Sequence, residues 1–501
     1  MMEDRFVKTV ESITFNSIKE KNFSLSPAQH KKLVIPNKRL IAVRSFLERE
    51  LSGNDLGQEV GMLNYIEKSP YYFIRTKGLQ PHSFILDISK ESVLPIMPQS
   101  FIDMSLKKGD LIISKDGNIG EIVILDKDYP NFMLSGALYK LPVKQNKYYL
   151  LAFMKHPVVR EQLNYLTPKG ATLRHCKTLF LDCKIPLPSN NQEKTVKYVE
   201  VLTQSIINKE IEIREKFYRI INSIEDELCS NQKCHSFSYK MPTLNEIVQN
   251  ERIDTNLYCR KFKSESFKID NYVNGYKTLE ELGFTLSRGQ NLQVSNIGKS
   301  IYTKKKHKGF YTLILPKFLS KYGSVEKVEY LGNPNKLKTL LKGDLIFGAE
   351  GFEKGRSYVV IEDAEKTITN IHGITIQQKE SHSINRAIYI KCILDYLREK
   401  GMIDLYAVGG NGGSLAQKYW DIIHFPTFPE AVIDRIVKMY YNAEYIEDNS
   451  NISMDDFLEK DCQSNLEAGI YNLEKSIVRL NKLLENAITC IIEDKECTIA
   501  F

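Results

Sequence analysis

Two segments of the chain carry apolar residues at the spacing of a long amphipathic helix. From Gln192 to Leu228 the apolar positions recur mostly in steps of three and four, as they do on one face of an α-helix. At about 1.5 Å per residue, this helix would extend about 55 Å. A heptad-like pattern runs from Leu466 to Ile491, after a polar segment from Asn442 to Asn465. Because one helix cannot bury its own apolar face, we expect the two helices to pack antiparallel as a coiled coil.

The rest of the chain contains an internal repeat. The string Gly109-Asp110-Leu111-Ile112-Ile113 returns as Gly343-Asp344-Leu345-Ile346-Phe347, and two further glycines follow in each copy. The copies end in similar proline exits, Pro186-Leu187-Pro188 and Pro426-Thr427-Phe428-Pro429. A period of roughly 235 residues is too long for a solenoid or propeller and fits a duplicated domain.

Each copy is predicted to be a mixed α/β (α+β) module. Gly-Asp favours a β-turn that enters a strand, the next apolar run forms a second strand, and the glycines between them form a hairpin loop. Residues 150–166 and 388–400 read as helices. We therefore predict a first module at 1–188, a central helical spacer at 189–235, a second module at 236–429 and a C-terminal helical spacer at 430–501. The polar insertion at 442–465 would interrupt the last spacer.

Composition indicates an ordinary soluble protein. Apolar residues make up 42% and charged residues 26%, no apolar run approaches the length of a membrane span, and no secretory signal follows Met1. The nine cysteines are therefore expected to be reduced, in the cytoplasm. Cys229, Cys234 and His235 cluster but lack a fourth ligand nearby, so we predict no metal site.

The distribution of charge points to a polyanion partner. The net charge is +7, and the segments 283–324 and 21–47 contain no Asp or Glu, although each holds several Lys and Arg. Such cations neutralise phosphates and release counterions, which supplies most non-specific DNA affinity. A solvated basic face is the alternative for any one such run. The candidate DNA contacts are Lys31, Lys32, Lys38, Arg39, Lys115, Lys169, Arg174, Lys304, Lys305, Lys306, Lys308 and Arg356.

Signatures of catalysis are mostly missing. No Asn/Asp-Pro-Pro-aromatic string of an amino-methyltransferase occurs, and no glycine-rich loop suits a methyl donor or a dinucleotide. Acidic residues are numerous, but none form a compact nuclease motif. We expect a non-catalytic DNA reader without a cofactor.

This combination resembles the specificity subunit of type I restriction-modification systems. The resemblance rests on the two Gly-Asp strings, on Gly170-Ala171-Thr172, and on the proline exit followed by Gln192 at the start of a long helix. The string Arg252-Ile253-Asp254-Thr255-Asn256 looks like the family's usual opening of a second module. The second copy departs from the pattern, since Glu430 rather than Gln follows its proline exit.

The resemblance implies two target-recognition domains that each read one half of a split sequence in double-stranded DNA. The helices would set the gap between the half-sites and dock two methyltransferase subunits, and restriction (motor-nuclease) subunits would complete the complex. S-adenosylmethionine would be bound by the methyltransferase partner, and no membrane is involved. Two other classes stay open: a DNA-binding protein with cryptic nuclease activity, and a scaffold whose helices gather protein partners.

Overall fold

The computed structural model describes residues 5–20, 23, 25, 30–167, 175–362, 366–380, 383–409, 412–447 and 453–500. The chain divides into two compact units. Unit 1 comprises Met1–Glu212, Ile446–Leu466 and Lys475–Phe501, and unit 2 comprises Ile213–Tyr445 and Glu467–Glu474. Both combine helices with small sheets, which confirms the predicted mixed α/β class. The four predicted domain boundaries stay a prediction.

Within the described residues, unit 1 is built on two three-stranded sheets and two two-stranded ribbons, β1-β2 and β10-β3. One sheet has the order β7-β6-β9 and is antiparallel, and the other has the order β5-β4-β8 with β4 and β8 parallel. Its strands are β1 (Val7–Thr9), β2 (Lys31–Leu33), β3 (Leu40–Ala42), β4 (Tyr72–Ile74), β5 (Val93–Pro95), β6 (Leu111–Ser114), β7 (Ile122–Ile124), β8 (Phe132–Leu134), β9 (Leu138–Leu141) and β10 (Lys184–Pro186). Its helices are α1 (Phe15–Glu20), α2 (Lys147–Lys155), α3 (Pro157–Leu166) and the first part of α4 (Gln192–Ser230).

The single helix predicted at 150–166 is wrong, because a proline divides it into α2 and α3. Pro157 has no N–H to donate and is tolerated only in the first turn of a helix. His156 adopts an extended conformation, and its Nδ1 accepts a hydrogen bond from the Val158 amide at 3.1 Å. It therefore acts as the N-cap of α3.

Unit 2 has two four-stranded sheets of the same kind. One has the order β12-β19-β16-β17, and the other has the order β13-β15-β14-β18 with β14 and β18 parallel. The strands are β11 (Tyr276–Lys277), β12 (Phe284–Arg288), β13 (Ile301–Thr303), β14 (Tyr311–Leu313), β15 (Glu329–Gly332), β16 (Leu345–Gly348), β17 (Ser357–Val359), β18 (Thr367–Ile368), β19 (Gly373–Gln378) and β20 (Phe425–Pro426). The helices are α5 (Leu244–Asn250), α6 (Arg260–Asp270), α7 (Val294–Ile297), α8 (Ile384–Glu399), α9 (Met402–Tyr406) and α10 (Glu430–Tyr440).

The repeated Gly-Asp string forms the same turn in both units. Gly109 and Gly343 have φ values of 88° and 86°, which L side chains rarely adopt. The carboxylate of Asp110 accepts from the Lys107 amide, and that of Asp344 accepts from the Leu341 amide, each at 2.9 Å. The following strands, β6 and β16, are fully buried in their sheets. The repeat is therefore structural as well as sequential.

The proline exits are held alike in the two units. The buried hydroxyl of Tyr149 in α2 donates to the Pro186 carbonyl at 2.6 Å, and the buried hydroxyl of Tyr389 in α8 donates to the Pro426 carbonyl. In each unit, this bond joins a buried helix to the strand that precedes the exit.

The C-terminal helical region consists of α11 (Phe457–Glu467) and α12 (Ile470–Ile492). Within unit 1, α12 runs antiparallel to α4. The residues after α12 lie beside the start of α4, where the Tyr198 hydroxyl donates to the Ala500 carbonyl. The two helices share one buried apolar cluster. Its members include Val199, Leu202, Ile206, Leu480, Leu484 and Ile488.

The segment predicted as a polar insertion contains most of α11. This helix lies along α4 in unit 1, where Lys209 bonds to both Asp461 and Asn465. The prediction that the C-terminal helix resumes at Leu466 is also wrong. Leu466 lies in α11, and the helical structure is interrupted at Gly469 before α12 begins. A Cβ at Gly469 would lie 2.7 Å from the Tyr440 carbonyl group, so only glycine allows this close approach.

Within the described residues, no helix combines the length and the apolar character that a membrane span requires.

Candidate nucleic-acid interface

Four of the predicted cations lie on one connection of unit 2. Residues 304–310 link β13 to β14, and Lys304, Lys305, Lys306 and Lys308 are all exposed. In the described part of the chain, no ion pair engages these four lysines. Three consecutive lysines repel one another, and a phosphate backbone would relieve that repulsion. Of the predicted contacts, this group best suits a polyanion.

The predicted cations near the N-terminus differ in their surroundings. Lys32 and Lys38 are exposed, and Lys31 is half-buried in β2 opposite Thr9. Arg39 instead fastens the proline exit: its guanidinium donates to the Pro188 carbonyl at 2.9 Å and to Gln192 Oε1 at 2.7 Å. Arg39 thus connects β3 to the start of α4.

The two loop cations are held by their own units. Lys115 Nζ lies 2.6 Å from Asp116 Oδ2, and both side chains are 19% exposed. Arg356 donates to the Leu319 carbonyl at 2.8 Å and to Glu353 Oε1 at 3.1 Å. Because of these contacts, Lys115 and Arg356 have fewer N–H groups left to donate to a phosphate. Lys169 and Arg174, together with the string from Gly170 to Thr172, lie outside the described residues.

Each unit has a carboxylate at the equivalent position of the repeat, and each carboxylate contacts an exposed imidazole from a different place in its module. Asp116 follows β6, and its Oδ1 lies 2.7 Å from His175 Nδ1. Glu350 follows β16, and its Oε2 lies 2.6 Å from His372 Nδ1. Glu350 also binds Arg288 at 3.0 Å. Sequence reasoning missed these groups, since the partners are far apart along the chain.

Ionisable groups buried in unit 1 tie elements together. Burial lowers the pKa of Lys155 to about 8, and the ammonium donates to the Gln80 carbonyl at 2.8 Å. Burial raises the pKa of Glu210, a residue of α4 whose carboxylate accepts from the amides of Phe84 and Ile85 at 2.9 and 3.2 Å. Because backbone groups satisfy them, these residues serve to fasten the loop at 80–85 to α2 and α4.

Metal-ligating side chains do not gather in the described residues: no group of three or more His, Cys, Asp or Glu could hold an ion there. Cys229 contacts Glu225, and Cys234 contacts Ser236.

Residues 71–216 match the family model of the type I restriction modification DNA specificity domain. The match begins just before β4, includes the Gly-Asp turn and the proline exit, and ends in α4. It confirms the resemblance inferred from the repeat. Residues 71–216 thus resemble a DNA specificity domain of the type I restriction-modification class.

Solved structures of the same class are similar to most of the chain at low identity. The S subunit of a type I restriction-modification system from M. genitalium is 13% identical, with 92% of this chain and 97% of that chain covered and a TM-score of 0.39. The HsdS subunit from Thermoanaerobacter tengcongensis is 12% identical, with 92% and 98% covered and a TM-score of 0.27. No curated protein matches the chain significantly.

Proposed function

We propose that this chain is a specificity subunit that recognises a bipartite DNA sequence and directs partner methyltransferase and restriction subunits to it. One observation carries the proposal: the Gly-Asp turn that lies within the specificity-domain match recurs in unit 2. Both copies have a glycine at positive φ and an aspartate that closes the turn. A duplicated recognition module suits a target with two half-sites.

The two modules would read different bases on a shared scaffold. Side chains at base edges specify sequence, whereas Lys and Arg on phosphates mainly set register. The turns and proline exits agree between the copies, but the cations around them differ. Lys304, Lys305, Lys306 and Lys308 occupy a connection of unit 2, while Lys32 and Lys38 lie near β2 in unit 1. Different surfaces on a common framework favour different half-sites.

The long helices would set the gap between half-sites and dock the methyltransferases. The helix α4 is continuous for 39 residues, about 58 Å at 1.5 Å per residue. We place the recognition modules at 1–188 and 236–429, with helical spacers at 189–235 and 430–501. Chemistry and S-adenosylmethionine would belong to the partner subunits.

The proposal is tested by adenine-methylation mapping. This chain is expressed with the methyltransferase subunit encoded beside it, in a host that lacks adenine methylation, and the genome is read by long-read sequencing. We expect a split motif that disappears when this chain is omitted. A stable complex that methylates no motif, or a motif that persists without this chain, would refute the proposal. Metal-dependent cleavage by the isolated chain would favour the nuclease alternative.

A further inference from the structure

A small polar cleft in unit 2 has the composition of an oxyanion site. It measures about 100 Å³ and lies between the end of β12, the segment 338–340 and the segment that follows β18. No acidic residue lines it. The lining residues are Arg288, Gly289, Gln290, Asn291, Lys338, Thr339, Leu340, Thr369 and Thr375.

Two cations at the cleft retain unused donors. Lys338 Nζ donates to Ser287 Oγ at 2.7 Å, which leaves two of its three N–H groups. Arg288 uses one terminal nitrogen for Glu350 Oε1 at 3.0 Å and for the Ile371 carbonyl at 3.2 Å. Among the described residues, Lys338 has no ion-pair partner. Since Glu350 balances Arg288, the charge of Lys338 is left for a ligand.

Thr369, which also lines the cleft, has a buried hydroxyl without a partner in the described part of the protein. The side chain of Thr369 is 2% exposed, and its Oγ1 makes no hydrogen bond in the described part of the protein. Leaving a buried hydroxyl unsatisfied costs about 1–3 kcal/mol, so such a group points to an absent partner. An anion in the cleft would accept the hydrogen bond that this hydroxyl can donate.

The backbone beneath the cleft is closely packed. The Gly289 amide donates to the Gly373 carbonyl at 3.0 Å, and a Cβ at Gly289 would lie 2.1 Å from the Asn370 carbonyl oxygen. Any larger residue would push β12 away from the segment that carries Thr369. Gly289 thus allows two chain segments to approach closely enough to place Arg288 and Thr369 at one cleft.

We propose that this cleft binds a phosphate group, with Lys338, Arg288 and the Thr369 hydroxyl as donors, and that the phosphate is one of the DNA backbone at the half-site read by the second module. The assignment to DNA rests on the proposed function. A phosphate fits better than a base edge because Lys338 and Arg288 offer positively charged N–H donors, and Lys338 has no ion-pair partner among the described residues. A single fixed phosphate would set the register of the module on its half-site.

The test on DNA combines a side-chain change with a phosphate change. Lys338→Gln is compared with Lys336→Gln, which removes the same charge two residues away at an exposed position that does not line the cleft. On DNA that carries the motif found by methylation mapping, we expect Lys338→Gln to weaken binding about tenfold and to lower the slope of log affinity against log salt by about one. The variant should still recognise the same base sequence. Lys338→Arg should retain affinity.

Methylphosphonate substitution locates the contact. When the contacted phosphate is replaced by a neutral methylphosphonate, the penalty of Lys338→Gln should vanish, and it should persist for replacements elsewhere. Equal losses of affinity in Lys338→Gln and Lys336→Gln would overturn the proposal. A changed base preference at a guanine of the motif, in place of coupling to one phosphate, would also overturn it.

A test without DNA separates this inference from the proposed function. Inorganic phosphate, added to the full chain at constant ionic strength, should raise the melting temperature of the wild type and of Lys336→Gln more than that of Lys338→Gln. The Thr369→Val variant should respond weakly to phosphate although it is no less stable, because valine removes the unsatisfied hydroxyl. Phosphate stabilisation without coupling on DNA would assign the cleft to free phosphate and refute the DNA contact. No selective stabilisation and no coupling would refute the site itself.

Discussion

Replacing Lys209 with methionine should destabilise unit 1 far more than an equal change elsewhere on the same helix. The ammonium of Lys209 lies 2.6 Å from Asp461 Oδ1 and 2.5 Å from Asn465 Oδ1, and the two ion-pair partners are only 1% and 8% exposed. Ser205 Oγ donates to the other carboxylate oxygen at 2.6 Å. These bonds dock α11 against α4.

The expected magnitude follows from the asymmetry of buried ion pairs. Methionine keeps the apolar stem of Lys209 but leaves the carboxylate of Asp461 buried with Ser205 as its remaining donor. Removing one partner of a buried pair typically costs about 3–5 kcal/mol. The exposed pair between Lys197 in α4 and Asp455, just before α11, has side chains that are 52% and 78% exposed. Exposed pairs contribute about 0–1 kcal/mol, so Lys197→Met serves as the matched control.

Guanidinium unfolding of both variants measures the change in the free energy of unfolding. Hydrogen exchange in peptides from 457–467 shows whether α11 itself is destabilised. We expect fast exchange of α11 in Lys209→Met and near wild-type protection in Lys197→Met. Adding Asp461→Leu to Lys209→Met should restore part of the lost stability, since the unpaired charge is then gone. If the two single variants lose the same stability, the buried pair does not hold α11, and the reasoning fails.

Three further predictions concern other parts of the chain. Arg49 donates two hydrogen bonds to Asp55 and lowers the pKa of that carboxyl to about 2. Because the pKa is depressed in the folded state, Asp55→Asn should lower the free energy of unfolding by roughly 2 kcal/mol near pH 7. In urea unfolding, the difference between this variant and the wild type should shrink below pH 4. A penalty that stays constant with pH would contradict this assignment. Inserting one heptad in both α4 and α12 should lengthen the methylated gap by about three base pairs, because seven residues add about 10 Å, and should leave both half-sites unchanged; an unchanged gap would exclude the helices as the spacer. Replacing Lys304, Lys305 and Lys306 of the β13–β14 connection with glutamine should weaken DNA binding. It should also lower the slope of log affinity against log salt by as much as about three. An unaltered slope would show that these lysines do not contact DNA.

The sequence alone determined the repeated local structures. Gly109 and Gly343 precede buried strands at turns that need positive φ, a requirement that local stereochemistry imposes and that sequence therefore displays. The spacing of apolar residues likewise predicted one long helix from Gln192, and α4 spans Gln192–Ser230. Local signals failed in two places. Pro157 divides the single helix predicted at 150–166, and the segment predicted as a polar insertion before Leu466 contains most of α11.

Tertiary structure decided which cations are available to a ligand. Lys, Arg and acid-free runs can be read from sequence, but their partners cannot, because hydrogen bonds join residues distant along the chain. Arg39 is occupied by the proline exit and Arg356 by Leu319, so two predicted contacts also serve structural roles. The converse holds for Lys338, which no sequence pattern singled out. It meets Arg288 and Thr369 only because a glycine lets separate segments of unit 2 approach, and the fold alone creates that proximity.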